Sequence, residues 1–385
     1  MTDEATFTQL KDTIRRFVRE RLVPLEDQVD RDDKLPDDLV EEMKEMGLFG
    51  ISVPEEYGGL GLSMAEEVEI ARELSWTTPV FRSVFGTNIG IGSQGIVMDG
   101  TEEQKQTYLP RLATGELIGS FALTEPEAGS DAASLKTRAE MDGNEYVING
   151  TKRFITNAPR ANIFTLMART NQDEPGARGI SAFIVERDNP GISIGKPERK
   201  MGQHGNHVAD VIFEDCRVPA TSIIGGEPGL GFKTAMKVLD RGRIHISAVA
   251  VGNSERLIHM ALSYAMERKQ FGKPIADFQL IQAMLADSRT EMEAAKAMVR
   301  DAAAKKDAGE NVATLAACCK LFTTEMVGRI ADRAVQIHGG AGYIADYGVE
   351  RFYRDVRLYR IYEGTSQIQQ LIIARNMIRE AEEAG

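Results

Sequence analysis

Two short polar segments of this 385-residue chain carry residues that could bind a cofactor. In 122–131 (ALTEPEAGSD) a predicted strand runs into a turn of donors and small residues, where backbone can approach a planar ring or a pyrophosphate. In 268–274 (RKQFGKP) Arg268 could bind a phosphate while Phe271 covers an apolar ring. A tight surface turn explains the first segment equally well, and a solvated helix end explains the second better.

A third segment, 360–367 (RIYEGTSQ), holds a candidate general base, Glu363. Ile361 and Tyr362 precede it and Gly364 follows, which indicates a break before the last predicted helix. A carboxylate there faces a cleft yet is partly desolvated, and desolvation raises its pKa towards the operating pH, as a general base requires. Capping of that helix by the next two hydroxyl residues is the competing structural explanation.

Composition excludes several classes of function. Lys and Arg total 46 against 58 Asp and Glu, a formal charge of −12, which disfavours nucleic acid and anionic membrane as partners. The three cysteines and five histidines lack ligand spacing, so no metal site and no disulfide framework is expected. The N-terminus has no apolar signal core and no apolar run reaches about 18 residues, so a cytoplasmic protein is predicted.

Familiar nucleotide and hydrolase motifs fail on their context. Gly59-Leu-Gly61 has Met64 at the position of the third glycine and no strand before it, which argues against a Rossmann domain. The stretch 191–195 (GISIG) matches a nucleophile elbow, but prolines at 190 and 197 leave no strand-to-helix turn.

The elements that must position these residues fall into three regions. Helical periodicity dominates 1–118, short β-rich runs separated by turn pairs fill 119–222, and four long helical segments occupy 228–385. The order predicts an α+β protein with a helical domain, an antiparallel β-barrel or sandwich, and a four-helix bundle. The glycines of 86–95 indicate either close helix packing or a helix break.

Six motifs, in order along the chain, closely resemble the acyl-CoA dehydrogenase family. They are 123–131 (LTEPEAGSD), 149–157 (NGTKRFITN), 213–219 (FEDCRVP), 267–273 (ERKQFGK), 336–343 (QIHGGAGY) and 362–369 (YEGTSQIQ). The resemblance covers nearly the whole chain. It implies an N-terminal all-α domain, a central antiparallel β-barrel and a C-terminal four-helix bundle, with FAD as the cofactor.

The resemblance also implies roles for particular residues. Glu363 corresponds to the base that takes the α-proton of an acyl-CoA, with hydride passing to the flavin to give a trans-2-enoyl-CoA. Gly364, Ser130, Asp240 and Arg243 correspond to substrate contacts. The implied FAD contacts are Phe121, Leu123, Thr124, Gly129, Ser130, Phe154, Ile155 and Thr156 around the flavin ring; Arg268, Gln270, Phe271, Phe278 and Gln279 from a neighbouring subunit; and Gln336, Gly339, Gly340, Thr365 and Gln367 beside the dinucleotide.

Some positions depart from the family pattern. Phe154 replaces a common tryptophan, and 204–208 (HGNHV) replaces the usual loop. Members that carry the base on the first bundle helix have it at the position of Gly242, which cannot act, so the base is assigned to Glu363.

The family implies a homotetramer, a dimer of dimers, and electron transfer flavoprotein as the electron acceptor. An oxidase, desulfinase or monooxygenase on the same fold is the alternative. The acyl group is expected to be selected around 82–100 and 240–250, where His245 either shapes the cavity or simply packs.

Overall fold

The N-terminal region is helical. The structure, a computed structural model, describes residues 3–384. Seven α-helices come first, with short 3₁₀ and π turns between them: α1 Glu4–Phe17, α2 Glu26–Asp32, α3 Asp37–Glu45, α4 Met64–Leu74, α5 Val80–Thr87, α6 Gln94–Asp99 and α7 Glu102–Ala113. Capping boxes at Ser63/Glu66 and Thr101/Gln104 start α4 and α7, because each pair satisfies free N–H groups of a first turn.

The glycine-rich stretch after α5 combines close packing with a break. Gly90 has a non-helical ψ of −112°, which kinks the chain. A Cβ on Gly92 would lie 2.7 Å from the carbonyl oxygen of Gly119, so the bare backbone lets the chain lie against the start of the sheet.

A seven-stranded sheet follows: β1 Gly119–Ala122, β2 Arg138–Asp142, β3 Glu145–Thr156, β4 Ile163–Arg169, β5 Ile180–Glu186, β6 Ile192–Ile194 and β7 Val208–Pro219. The order is β1-β4-β2-β3-β7-β6, with β5 paired to β4. One detail differs from the antiparallel expectation: β1 pairs with β4 in parallel, and β2 joins β4 in parallel at a single register position. Two irregularities in the pairing of β3 with β7 bend the long strands.

The C-terminal region is built on four long helices: α8 Gly231–Glu267, α9 Gln279–Asp307, α10 Ala313–His338 and α12 Ser366–Ala384. A two-stranded hairpin, β8 Lys269–Gln270 with β9 Lys273–Pro274, links α8 to α9, and a short helix, α11 Val349–Val356, lies between α10 and α12. Alternating apolar residues of α8, α9 and α10 form one buried core with parts of α4 and α11.

Buried polar contacts hold the three regions together. Asp355 of α11 accepts hydrogen bonds from the Gln203 N–H at 2.5 Å and the Thr78 hydroxyl at 2.8 Å. Trp76 lies between the Arg19 guanidinium, 3.4 Å above its ring, and the His259 ring of α8 at 5.3 Å. No helix within 3–384 is long and apolar enough to cross a membrane.

Candidate active site

A cavity of about 440 Å³ opens where the three regions meet. One face of α5, the ends of β1 and β3, the first third of α8 and the start of α12 line it. It brings together eleven of the residues that the sequence analysis selected: Phe121, Leu123, Thr124, Gly129, Ser130, Phe154, Ile155, Thr156, Arg243, Glu363 and Gly364.

Glu363 is held in a left-handed backbone conformation, with φ of 53°. Such a conformation is unfavourable for a residue with a Cβ and persists only where the surroundings fix it. Here the buried Lys320 of α10 donates to the carbonyl oxygen of the next residue, Gly364, at 2.6 Å. The Gln369 amide donates to the same oxygen at 2.9 Å. These two side chains fix the turn that presents the carboxylate.

The Glu363 carboxylate has the environment that a general base requires. Its Oε2 atom is buried and has no hydrogen-bond partner among the described residues. Burial raises the pKa of Glu363 above its ordinary value, while the charges of Arg82, Lys320 and Arg243 act to lower that pKa. The group is therefore desolvated yet surrounded by cations that favour its ionised form.

Gly242 on α8 leaves the space that this carboxylate needs. A Cβ built on Gly242 would lie 2.7 Å from Oε2 of Glu363, closer than real Cβ contacts. The observed position of the carboxylate therefore requires glycine at 242, because any side chain there would displace it.

The sheet supplies the facing wall. Phe154 has φ of 58° and is 56% exposed, so a bulky aromatic residue sits in the left-handed region on the cavity wall. Nearby, the Ser120 hydroxyl donates to the Thr156 carbonyl at 2.5 Å and joins β1 to β3. Strain and exposed aromatic surface at one place are typical of a ligand-binding position.

A fully buried lysine holds the 122–131 turn against β3. Lys152 donates to the Leu123 carbonyl at 3.0 Å and to Oε1 of Glu125 at 2.7 Å. Glu125 also accepts from the N–H of Thr137 at 2.9 Å. Burial lowers the pKa of Lys152 to about 8, with Glu125 acting to raise it. These contacts hold the wall in place without a ligand, so it presents a preformed surface for a flat ring.

This wall fits an isoalloxazine ring. Cavity-lining surface is mostly apolar, and the hydroxyls of Thr124, Ser130 and Thr156 lie around it. Five cations (Arg82, Lys200, Arg241, Arg243 and Arg375) line the cavity against two acidic residues, Asp131 and Glu363. A chain of net charge −12 therefore has a locally basic cavity for an anionic ligand.

A second cavity lies at the other end of the helical region. It is lined by Arg268, Gln270, Gly339 and Gly340, four of the predicted cofactor residues, together with the stacked rings of Tyr264 and His338. The Phe271 ring is 93% exposed on the neighbouring hairpin turn, 6.0 Å from the Phe278 ring. None of the six residues named as lining this second cavity also lines the first.

The remaining selected residues line neither cavity: Asp240, Phe271, Phe278, Gln279, Gln336, Thr365 and Gln367. Asp240 accepts from Arg243 at 2.5 Å and so positions an arginine that does reach the cavity. The Thr365 hydroxyl accepts from the N–H of Ile368 at 3.2 Å, which is the helix-capping contact that sequence had left open.

The unusual 204–208 loop packs on the end of α2. His204 Nδ1 lies 2.9 Å from Oδ1 of Asp30, and the N–H of Gly205 donates to the Asp33 carboxylate at 2.5 Å. His207 Nε2 lies 2.9 Å from the Asp33 carbonyl oxygen. The loop thereby brings Asn206 to the cavity wall.

Sequence reasoning missed several residues of the site: Arg82, Lys152, Lys320 and Gln369. Lys320 stands among apolar neighbours in its helix, so a lysine in a buried pattern was the available signal. Lys152 lies between Thr151 and Arg153, and this local pattern does not mark it as buried. Arg82 and Gln369 carry no such signal, because only tertiary packing brings them to Glu363. The 82–100 and 240–250 ranges do contribute to the cavity, through α5 and α8.

Comparison with known proteins agrees with this architecture. Residues 4–116 match the N-terminal domain of acyl-CoA dehydrogenases, 120–216 the middle domain and 229–378 the C-terminal domain. The acryloyl-CoA reductase (NADH) of Anaerotignum propionicum is 45% identical over 372 residues, covering 96% of this chain and 94% of that protein.

Two solved structures share the fold over almost the full length. Butyryl-CoA dehydrogenase from Megasphaera elsdenii superposes with a TM-score of 0.94 at 35% identity, covering 98% of this chain and 99% of that one. A structure reported with the electron transferring flavoprotein of Acidaminococcus fermentans has a TM-score of 0.94 at 40% identity, with the same coverage.

The three-region fold and the cavity with a buried carboxylate opposite an aromatic wall define a flavin-dependent oxidoreductase. The chain belongs to the acyl-CoA dehydrogenase family, whose members use FAD.

Proposed function

We propose that this enzyme dehydrogenates a saturated acyl-CoA to its trans-2-enoyl-CoA, with Glu363 as the base. The observation that carries the proposal is the buried, unpartnered Oε2 of Glu363 in the cavity. Phe121 and Thr156 on the β1–β3 wall would hold FAD, which would supply the hydride acceptor for the β-hydrogen.

The protein's own residues prepare proton removal. An α-C–H of a thioester is a far weaker acid than a carboxyl group, so Glu363 removes it only if the developing enolate oxygen is stabilised. The backbone N–H of Glu363 makes no hydrogen bond with any described residue and remains available as a donor to that oxygen. The turn held by Lys320 and Gln369 therefore supplies both the base and an oxyanion donor.

The two cavities support an assembly proposal. Residues that the resemblance assigns to one FAD are divided between two places that the single chain does not join. We propose that a second copy brings its Arg268 side against the first cavity, within a homotetramer. Exposed Phe271, Tyr343 and Leu280 (93%, 86% and 81%) supply apolar surface on the side of the second cavity for such contacts. Electron transfer flavoprotein is the proposed electron acceptor.

Glu363→Gln tests the role of the base. The variant keeps the size and polarity of the side chain, so we expect it to retain oxidised flavin while turnover falls about 10²–10⁴-fold. The measurement is anaerobic bleaching of the flavin band by saturated acyl-CoAs. Full activity in Glu363→Gln would exclude the assignment.

A second candidate runs the same chemistry in reverse. The similarity to an acryloyl-CoA reductase favours it, since the group that takes a proton from Cα returns it when an enoyl-CoA is reduced. Turnover of an enoyl-CoA with NADH, compared with turnover of the saturated thioester with an electron acceptor, separates the two directions. Oxygen consumption during turnover would instead indicate an oxidase or monooxygenase on this fold.

A further inference from the structure

The α5 side of the active-site cavity contains a cation without a partner. Arg82 makes no hydrogen bond or ion pair with any residue in 3–384, and its Nε atom is buried. Its guanidinium lies over Gly86, whose built Cβ would come within 2.7 Å of Arg82 Nη1. Glu363 and His245 line the same cavity as Arg82, and the charge of Arg82 acts to lower the pKa of both.

His245 on α8 presents a second unsatisfied nitrogen to the same cavity. The residue is 8% exposed and lines the cavity, and its Nε2 is buried with no hydrogen-bond partner in the described part of the chain. Its Nδ1 lies 2.6 Å from Oε1 of Glu67. Glu67 is itself 1% exposed and paired with Arg241, which donates at 3.1 Å from Nη1.

The Glu67 contact determines the state of the imidazole. Burial alone would raise the pKa of Glu67, but Arg241 and His245 outweigh it and lower that pKa to about 2. The ionised carboxylate holds a proton on His245 Nδ1 and turns Nε2 towards the cavity. Burial lowers the pKa of His245, as do Arg82 on α5 and Arg241 on α8, while Glu67 on α4 raises it. These opposing effects leave the pKa of His245 below its ordinary value.

An acyl chain that ended in a methyl group would leave both nitrogens desolvated and unpaired, which is unfavourable. Of the three cations acting on Glu363, only Arg243 pairs with a carboxylate, Asp240, within residues 3–384. Arg82 is therefore left for a ligand.

We propose that this cavity selects a short acyl-CoA whose acyl chain ends in a carboxylate, bound by Arg82, with His245 as the second polar contact. The inference rests on the proposed function. The Nε2 atom of His245 faces the same cavity and donates to that carboxylate when it carries a proton. Glu67 is the positioning residue for that ring.

The simpler alternative is that Arg82 serves only to keep Glu363 ionised. In that case its removal affects every acyl-CoA alike, whereas recognition of a terminal carboxylate affects only substrates that carry one. Two five-carbon probes, glutaryl-CoA and pentanoyl-CoA, differ in this group. Measuring both probes at a pH where Glu363 is ionised removes the effect of Arg82 on the ionisation of Glu363, which the two probes share.

The experiment is anaerobic flavin reduction by each probe with the holoenzyme and with Arg82→Met. We expect the holoenzyme to prefer glutaryl-CoA at least about tenfold, and Arg82→Met to lower the ratio of kcat/KM for glutaryl-CoA to kcat/KM for pentanoyl-CoA at least about 30-fold, whatever loss the two probes share. Equal losses for both probes, or a holoenzyme that prefers pentanoyl-CoA, would overturn the inference while leaving the proposed function intact. Failure of both probes to bleach the holoenzyme would reject the proposed function as well.

Gly86→Ala provides a second variant in case Arg82→Met loses its flavin. The new methyl group meets only the flexible end of Arg82, so the protein folds and the guanidinium shifts. We expect the preference for glutaryl-CoA to fall while the charge is retained. His245→Gln, which cannot be protonated, should reduce that preference about tenfold. An unchanged preference in both Gly86→Ala and His245→Gln would contradict the proposed contacts.

Discussion

At the scale of single residues, the candidate active site depends on the Glu363 carboxylate, which is buried and so disfavours its charged form, but which nearby cations help to ionise. Burial opposes ionisation of Glu363, and three cations favour it. A base of this kind works over the pH range in which it is deprotonated and desolvated. The same environment gives predictions that do not depend on which acyl-CoA is used.

The pH profile of kcat/KM, which reports the free enzyme, should show an acid limb set by Glu363. Because the pKa of Glu363 is raised by burial, the limb should lie above the ordinary glutamate value of about 4.3, with activity lost as pH falls through it. Arg82→Met should move the limb to higher pH, since Arg82 acts to lower that pKa. A limb at or below pH of about 4.3 would contradict the desolvated geometry.

Lys320→Met tests the residue that fixes the turn. The variant loses the 2.6 Å bond to the Gly364 carbonyl and a cation that lowers the pKa of Glu363. We expect kcat to fall about tenfold and the acid limb to move up, with little change in KM. Thr323→Val, equally buried in the same helix, is the control and should leave the limb in place. A fall in stability without a shift of the limb would assign Lys320 a structural role alone.

Sequence reasoning selected Glu363 as the candidate base but did not identify the residues that surround it. Glu363 stood out because a charged residue beside Gly364 interrupts an apolar pattern. Arg82 and Gln369 are separated from it by 281 and 6 positions, and no local pattern connects the first to the site. The helix-capping alternative at Thr365 also holds, so one segment serves both structure and chemistry.

At the scale of elements, the long helices followed from their apolar periodicity, and four long helices lie within 228–385 as expected. The strand Ile192–Ile194 was missed because three residues carry too little alternation, and its glycine flanks suggested a different motif. The parallel pairing of Gly119–Ala122 with Ile163–Arg169 could not be predicted, since strand order depends on tertiary packing.

Gly231 shows how tightly one element packs on another. A Cβ there would lie 2.2 Å from the backbone nitrogen of Ala182, so α8 begins in contact with β5. Gly231→Ala should lower the free energy of unfolding by about 1–3 kcal/mol, measured by urea denaturation. Gly328→Ala, in the interior of α10 with nothing nearer than 3.6 Å, is the matched control and should be neutral or stabilising by up to about 1 kcal/mol. Equal changes in the free energy of unfolding for the two variants would show that the close contact between Gly231 and Ala182 does not determine the effect.

At the scale of the whole molecule, buried Asp355 joins all three regions. Burial raises its pKa to about 6, so its contribution to stability is present below the unfolded pKa of about 3.9 and is lost as pH rises through about 6. Asp355→Asn removes the titration. Its stability relative to the natural chain should therefore increase by about 2 kcal/mol from pH of about 4 to about 7, read from thermal unfolding. A constant difference would mean that Asp355 stays ionised.

The lone tryptophan of the chain has a use of its own. Trp76 is contacted by the Arg19 guanidinium from the N-terminal region and by the His259 ring from the first bundle helix. Intrinsic fluorescence excited at the long-wavelength edge of the indole absorption band therefore reports on the contact between the N-terminal region and α8, and not on the whole fold. A change in that emission before the loss of helical circular dichroism would reveal the N-terminal region separating from the bundle while both remain folded.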